Sequence, residues 1–591
     1  MKTIDNFIKK PLLALAILAV LIIPYSCTDD EPITSLTEKV EAEEEKEIVE
    51  VKEINYVLTE LATGAALKGA NGLDISIDGN LYIGSVLGLE IVVMNKENGT
   101  IINRIGREMG VNGADDVVFG PDGSLYWTDI LIGEVGKMTP EGVVTKQFVA
   151  PGVNPINFSP EGRLFVALDF LGDGLYELDP DLIEPPRPIV VATPENPFPL
   201  GFLNAFDFCS DGRLYGPLFA AGLVIRVDVG NPGDPVSTDP FGDGIAEVVA
   251  TGFEHPAAAK FDSNEVLHVV DQTGEVFKIN INTGEKTLFT TLDRGLDNLT
   301  FDEDDALYMT NNDLGWVAEI LPSGAARTIS PGGMVAPQGL AVLTGSDNQD
   351  ALFVADQYSL IELNAVNGEQ ENIYRGYLIP GEGDLTTPQN VSADGNNLII
   401  SAWFGGLVQV WDPQANMILE SYAMGAPIDV IRFKDDLIVS DLGLGGVVWA
   451  SDNSMILPID NATVFAPGGL ATDGETVWVA DWGTGLVWQI DFEGNIPSTP
   501  FPIASDLMNP EGLALDLQGN LLVVETGASR LSKIDLATGE VTTIVEGLEL
   551  SDPGLEGFPP TWGFDGVAVG STGAIYISGG GANVVYRVTQ E

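Results

Sequence analysis

Five residues of closely related chemistry, Asn71, Asp115, Asn154, Asn204 and Asp297, open successive copies of a segment that recurs along the chain. Amide and carboxylate oxygens of this kind suit Ca2+ or another divalent cation, and a convergent ring of segments could assemble the roughly six to eight ligands it takes. The same residue types are favoured at turns, where their side chains bond the local backbone and tolerate unusual dihedrals. Two later copies open on the acidic residues Glu511 and Asp565. Trp403 and Trp482 stand within AWFGG and ADWGTG. Exposed indoles can stack on sugar rings or other flat ligands while Nε1 donates a hydrogen bond; packing between sheets is the structural alternative. Asp129, Asp271, Asp356, Asp441 and Asp481 fall in similar loops, where an acidic side chain caps a turn.

Other chemistries lack their residues. The two histidines, His255 and His268, belong to one copy of the segment. There is no G-x-S-x-G elbow, H-E-x-x-H, Walker loop or dinucleotide-binding glycine motif, so no nucleotide or flavin cofactor is expected. Cys209 lies inside an apolar strand and reads as a buried, inert thiol.

Gathering such residues needs elements that lead distant segments to one axis. Clear copies are NGLDISIDGNLYIGS, DDVVFGPDGSLYWTD, NPINFSPEGRLFVAL, NAFDFCSDGRLYGPL, EGLALDLQGNLLVVE and DGVAVGSTGAIYISG, with less regular ones near Ala257, Asp297, Gln338, Gln389, Ile428 and Gly468. From Asn71 to Asp565 the copies recur about every 45 residues, the length of a four-stranded propeller blade. Alternating apolar residues predict strands, and the D-G or E-G pairs predict tight turns. The expected fold is all-β: about twelve blades in two consecutive six-bladed β-propellers, residues 53–323 and 324–591. Five and seven blades is the competing division. The spare strand NYVLTELATG would complete the sixth blade, freeing AARTIS to complete the twelfth, so that no long edge stays unpaired.

The strings PQGLAV, PGGLATDGETVWVAD and PEGLALDLQGNLLVVE resemble NHL repeats and the propellers of the SMP-30/gluconolactonase group, and the likeness runs through nearly the whole chain after residue 52. It implies that the residue opening each innermost strand faces the top of a central channel. There Asn71, Asp115, Asn154, Asn204 and Asp297 would hold a divalent cation in the first ring, with Ala257 the exception. A carboxylate such as Asp115, Asp297 or Asp565 would move the proton when a lactone is opened. In the second ring the same position reads Gln338, Gln389, Ile428, Gly468, Glu511 and Asp565, so only the adjacent channel residues Glu511 and Asp565 are acidic. Neither ring carries the group's full set.

Lys9 and Lys10 precede the apolar run PLLALAILAVLIIP, which stops at Ser26 before Cys27. This resembles a bacterial lipoprotein signal, residues 1–26, with Cys27 as the lipidated residue; Pro24 stands where the motif usually has Leu. Residues 27–52 are charged and poor in aromatics, as expected of a disordered acidic tether. The formal net charge of −60 argues against nucleic acid or anionic lipid as partners, so membrane contact is expected through the anchor alone. The expected function is that of a cell-surface lipoprotein of the outer membrane whose propeller tops bind a small-molecule, saccharide or protein ligand, with Ca2+ in the first ring. A metal-dependent lactonase or related hydrolase and a purely structural or adhesive scaffold are the alternatives.

Overall fold

The computed structural model describes residues 55–346, 348–377, 380–381, 383–460, 462–551 and 563–590. The expected signal, Cys27 and the tether lie outside them. The described chain forms twelve separate sheets, nine of them four strands built outward from a single inner strand in simple up-and-down order, and every strand pairing is antiparallel except that of Gln370–Tyr377 with Leu385–Thr386. Hairpin chemistry explains the order. In the first four blades an acidic residue precedes Gly79, Gly123, Gly162 or Gly212, each with φ between 77° and 79°, and the turn closes through bonds such as Gly79 N–H to Ser76 O at 2.8 Å. Only glycine adopts that backbone readily.

Apolar residues alternate along these strands, so the sheets pack face to face. Phe165 of the third blade meets Phe208 of the fourth, with ring centroids 5.1 Å apart, inside a buried cluster that also holds Phe206, Leu214 and Ile225. Repeated blade after blade, this produces a circle. The inner strands touch in sequence from Leu73–Ile75 to Leu296–Phe301, and the last touches the first; a second closed circle runs from Pro337–Thr344 to Val567–Val569. There are six blades in each.

The closing strands are exchanged differently from the expectation. Tyr56–Thr63 pairs with the C-terminal strand Val584–Gln590, from Tyr56 opposite Gln590 to Thr63 opposite Val584, and completes the twelfth blade. Ala326–Ser330, the AARTIS strand, completes its own sixth blade. The reason is local: Leu321 and Ala325 close a short turn, so this strand folds back on its predecessor with almost no loop to order. The first ring is thus an insertion within the second. The chain crosses between them twice, near residues 64–70 and 331–336, and the crossings bond each other through Ala65 N–H and Met334 O at 2.8 Å.

The two rings meet through the faces on which their inner strands begin. The loops between second and third strands lie on this face. Phe170 in one such loop of the third blade stacks on Phe404 in the eighth, with centroids 5.1 Å apart and planes within 7°. Arg294 of the first ring lies over the Tyr377 ring, 3.9 Å from its centroid. Ala65, Leu87, Val335, Ala336 and Tyr358 form a small apolar seam at the crossings.

Candidate functional site

Most acidic side chains near the facing mouths are occupied by the fold itself. Asp356 accepts hydrogen bonds from Val335 N–H (2.9 Å) and Ala336 N–H (2.7 Å), in the segment that leads into its own blade. Asp441 holds Gly425 and Ala426 in the same way, and Asp481 holds Phe465 and Ala466. Asp271 takes Glu254 N–H, and Asp129 takes Asn112 N–H and the Lys146 ammonium. All are latches, as expected of turn-capping acids.

A further set, missed from sequence, lines the channel walls. Asp116 bonds its own Val117 N–H and Ile156 of the next blade; Asp74 bonds Ile75 and Phe119, and Asp207 bonds Phe208 and Phe261. In the second ring Asp429 does the same for Val430 and Leu470. Each carboxylate staples two neighbouring inner strands. Lys260 sits among Asp74, Asp116 and Asp207, and its charge partly offsets the upward push of burial on all three.

Against this background the mouth of the first ring stands out. Of the five residues expected there, Asn71 Oδ1 accepts Val86 N–H at 3.1 Å and Asn204 Oδ1 accepts Ala205 N–H at 2.7 Å, so both are held by backbone. Asn154 donates from Nδ2 to Asp169 at 3.2 Å, while its Oδ1 is buried with no partner. The carboxylates of Asp115 and Asp297 accept no hydrogen bond among the described residues, and both keep accessible surface although they lie deep in the molecule. They face open space.

Asp169 joins them, and a sequence signal for it existed. It stands one residue past the second strand Leu164–Leu168, whose last residue, Leu168, fills the position from which Asp129 and Asp271 latch, and here Asp173, four residues later, takes the Leu200 and Gly201 amides at 2.8 and 2.7 Å. Asp169 is thereby released toward the channel, with one oxygen unpartnered. Burial, then the charge of Asp116, pushes Asp115 up to about 7. Burial and the charges of Asp115 and Asp116 hold Asp297 well above the usual carboxylate range, and Asp169 rises likewise from burial and from Asp115.

The expected calcium set is only partly free of other bonds. Two of its five oxygens are occupied by backbone, and among the described residues no three His, Cys, Asp or Glu side chains are grouped closely enough to hold a metal ion. No step is therefore derived through a metal.

The second ring presents a different mouth. Glu511 accepts Asp565 N–H at 2.6 Å and the Thr526 hydroxyl at 2.8 Å; Asp565 in turn accepts Ser551 N–H at 2.5 Å and Gly580 N–H at 3.0 Å. Both are fully buried brackets of the channel wall. Burial and the neighbouring Asp565 charge push Glu511 up, and burial puts Asp565 at about 6. Trp403 and Trp482, each 9% exposed, pack with Ile428, Ala466 and Phe564 rather than standing free as stacking platforms. Their cluster, flanked by Phe404 and Phe465, gives this mouth an aromatic wall.

Because the faces are apposed, the two mouths share surroundings. Tyr358 of the second ring feels the charges of Asp313, Asp297 and Asp115 of the first, which add to burial in raising its phenol. Asp313 stands near Arg375 and Arg294, whose charges limit its rise to about 6. The first-ring mouth thus presents carboxylates and an amide, and the second-ring mouth aromatic side chains.

No family model matches the chain, and no curated protein matches it in sequence. Among solved structures it is similar to PorZ, a surface component of the type-IX secretion system of Porphyromonas gingivalis, at 12% identity over 89% of this chain and 86% of that one, TM-score 0.35. The extracellular domain of a one-component system of B. thetaiotaomicron gives 11% identity over 88% and 76%, TM-score 0.30. A gluconolactonase-type structure gives 13% identity over 47% and 94%, TM-score 0.34. Such distant likenesses carry no argument about ligand or reaction.

Proposed function

We propose that this is an exported ligand-binding protein in which the apposed mouths of two propellers enclose one chamber, anchored through lipid on Cys27. The observation that supports it is the contrast among acids. Latching and stapling carboxylates are satisfied by main-chain amides, whereas Asp115 and Asp297 face the chamber with none. Desolvated carboxylates without partners are costly, so a site that retains them gains most when a ligand brings hydrogen-bond donors. The aromatic wall opposite offers flat apolar surface, which suits a small molecule or saccharide with one apolar face.

Isothermal titration of residues 53–591 against a panel of mono- and disaccharides and small polar metabolites tests the reading. Saturable binding that disappears in D115N/D297N, with the circular dichroism of the fold retained, is expected. Binding that survives the double variant would remove the chamber from consideration.

A hydrolytic reading is favoured by one observation: Asp115, held near 7 by burial, has the proton affinity of a general acid or base at neutral pH. Turnover of lactones by the unmodified chain, abolished in D115N, would establish it. Asp565, saturated by backbone donors, is not expected to take part.

A further inference from the structure

Counting charges around the first mouth narrows the ligand, taking the chamber reading as given. Lys260 lies deeper, among Asp74, Asp116 and Asp207. Arg375 and Arg294 face Asp313. Asp115, Asp169 and Asp297 have no ion pair among the described residues, and the charges they feel from one another, from Asp116 and from Asp313 are all negative. Beside them Asn154, 6% exposed, buries an amide oxygen that receives no donor while its nitrogen is committed to Asp169. Once its acids are ionised, the site therefore offers chiefly acceptors.

We propose that the first-ring mouth binds a ligand bearing a protonated amine, seated among Asp115, Asp169, Asp297 and the free oxygen of Asn154. An ammonium is the natural complement, because it carries three donors and no acceptor and is compact enough for a deep mouth. A hydroxyl brings both a donor and an acceptor and leaves the negative charge uncompensated. Tyr358 of the second ring lies near enough to feel the charges of Asp297 and Asp115. Empty, the carboxyl groups are neutralised by protons; an arriving ammonium displaces them, so binding releases protons and strengthens as pH rises.

The test is calorimetric titration of residues 53–591 with 1,4-diaminobutane at pH 6 and pH 8, in two buffers of different ionisation enthalpy, with 1,4-butanediol and CaCl2 as controls. Saturable binding of the diamine, proton release, a loss of about tenfold in affinity at pH 6 and no binding of the diol are expected. D115N/D297N should lose the diamine while its circular dichroism stays unchanged; if that variant misfolds, D169N alone should weaken binding. Diol binding as tight as diamine, calcium binding in its place, or diamine binding indifferent to these variants would overturn the proposal. A chamber that takes a neutral sugar through Asp115 and Asp297 but ignores the diamine would overturn it too, while leaving the reading of a ligand chamber intact.

Discussion

At the scale of residues, chemistry here is decided by which acids the backbone claims. Asp356 holds two buried amides, so Asp356→Ala strands both donors and should cost about 2–4 kcal/mol, read as a lower denaturation midpoint. Asp115, Asp169 and Asp297 behave oppositely. Their proton affinities in the fold exceed those of an unfolded chain, so the folded state binds more protons, for Asp115 between roughly pH 4 and pH 7. Stability from these groups is present at low pH and is lost as pH rises through that window. Melting temperature should accordingly fall from pH 5 to pH 8, and D115N/D297N should flatten the fall. The distinction between Asp115 and its neighbour Asp116 was not legible in the sequence. The pairing register shifts between Ala114 and Val117, so simple alternation no longer tells which of the two faces the channel axis. The capping acids were legible, because a strand end followed by a tight turn leaves few other tasks for Asp.

At the scale of elements, the period of about 45 residues carried the blades, their strands and their turns, since each is a local consequence of alternation and glycine placement. Strand exchange was not local. NYVLTELATG and AARTIS are both plausible outer strands, and only the short turn before Ala326 ties one of them to its neighbour. The seam gives two predictions. Removing residues 55–63 should lower the second ring's unfolding transition and expose its edge, seen as increased dye binding, while the first ring's transition persists. Gly368 packs its turn on this strand with φ 74°, where an added Cβ would meet Leu61 O at 1.9 Å. Gly368→Val should therefore destabilise the second ring by about 2 kcal/mol or more, measured by differential scanning calorimetry.

At the scale of the whole molecule, the two mouths are apposed, and the proposed chamber depends on that apposition. Nothing in a repeat length announces it, because it depends on loops from blades far apart in sequence. The Phe170–Phe404 stack joins the faces through loops other than the crossings, so F170A/F404A should leave each ring folded yet let the faces separate. Small-angle scattering should show a larger radius of gyration, and ligand binding should become faster in both directions.

The strand that seals the second circle precedes the whole first circle, and its partner is the strand Val584–Gln590. A chain leaves the ribosome, and any export channel, amino end first. Residues 56–63 must therefore wait through the synthesis of everything between, and a product cut short before its partner has emerged presents an open sheet edge to proteases. By this topology only a chain that includes residues 584–590 can shut its second circle.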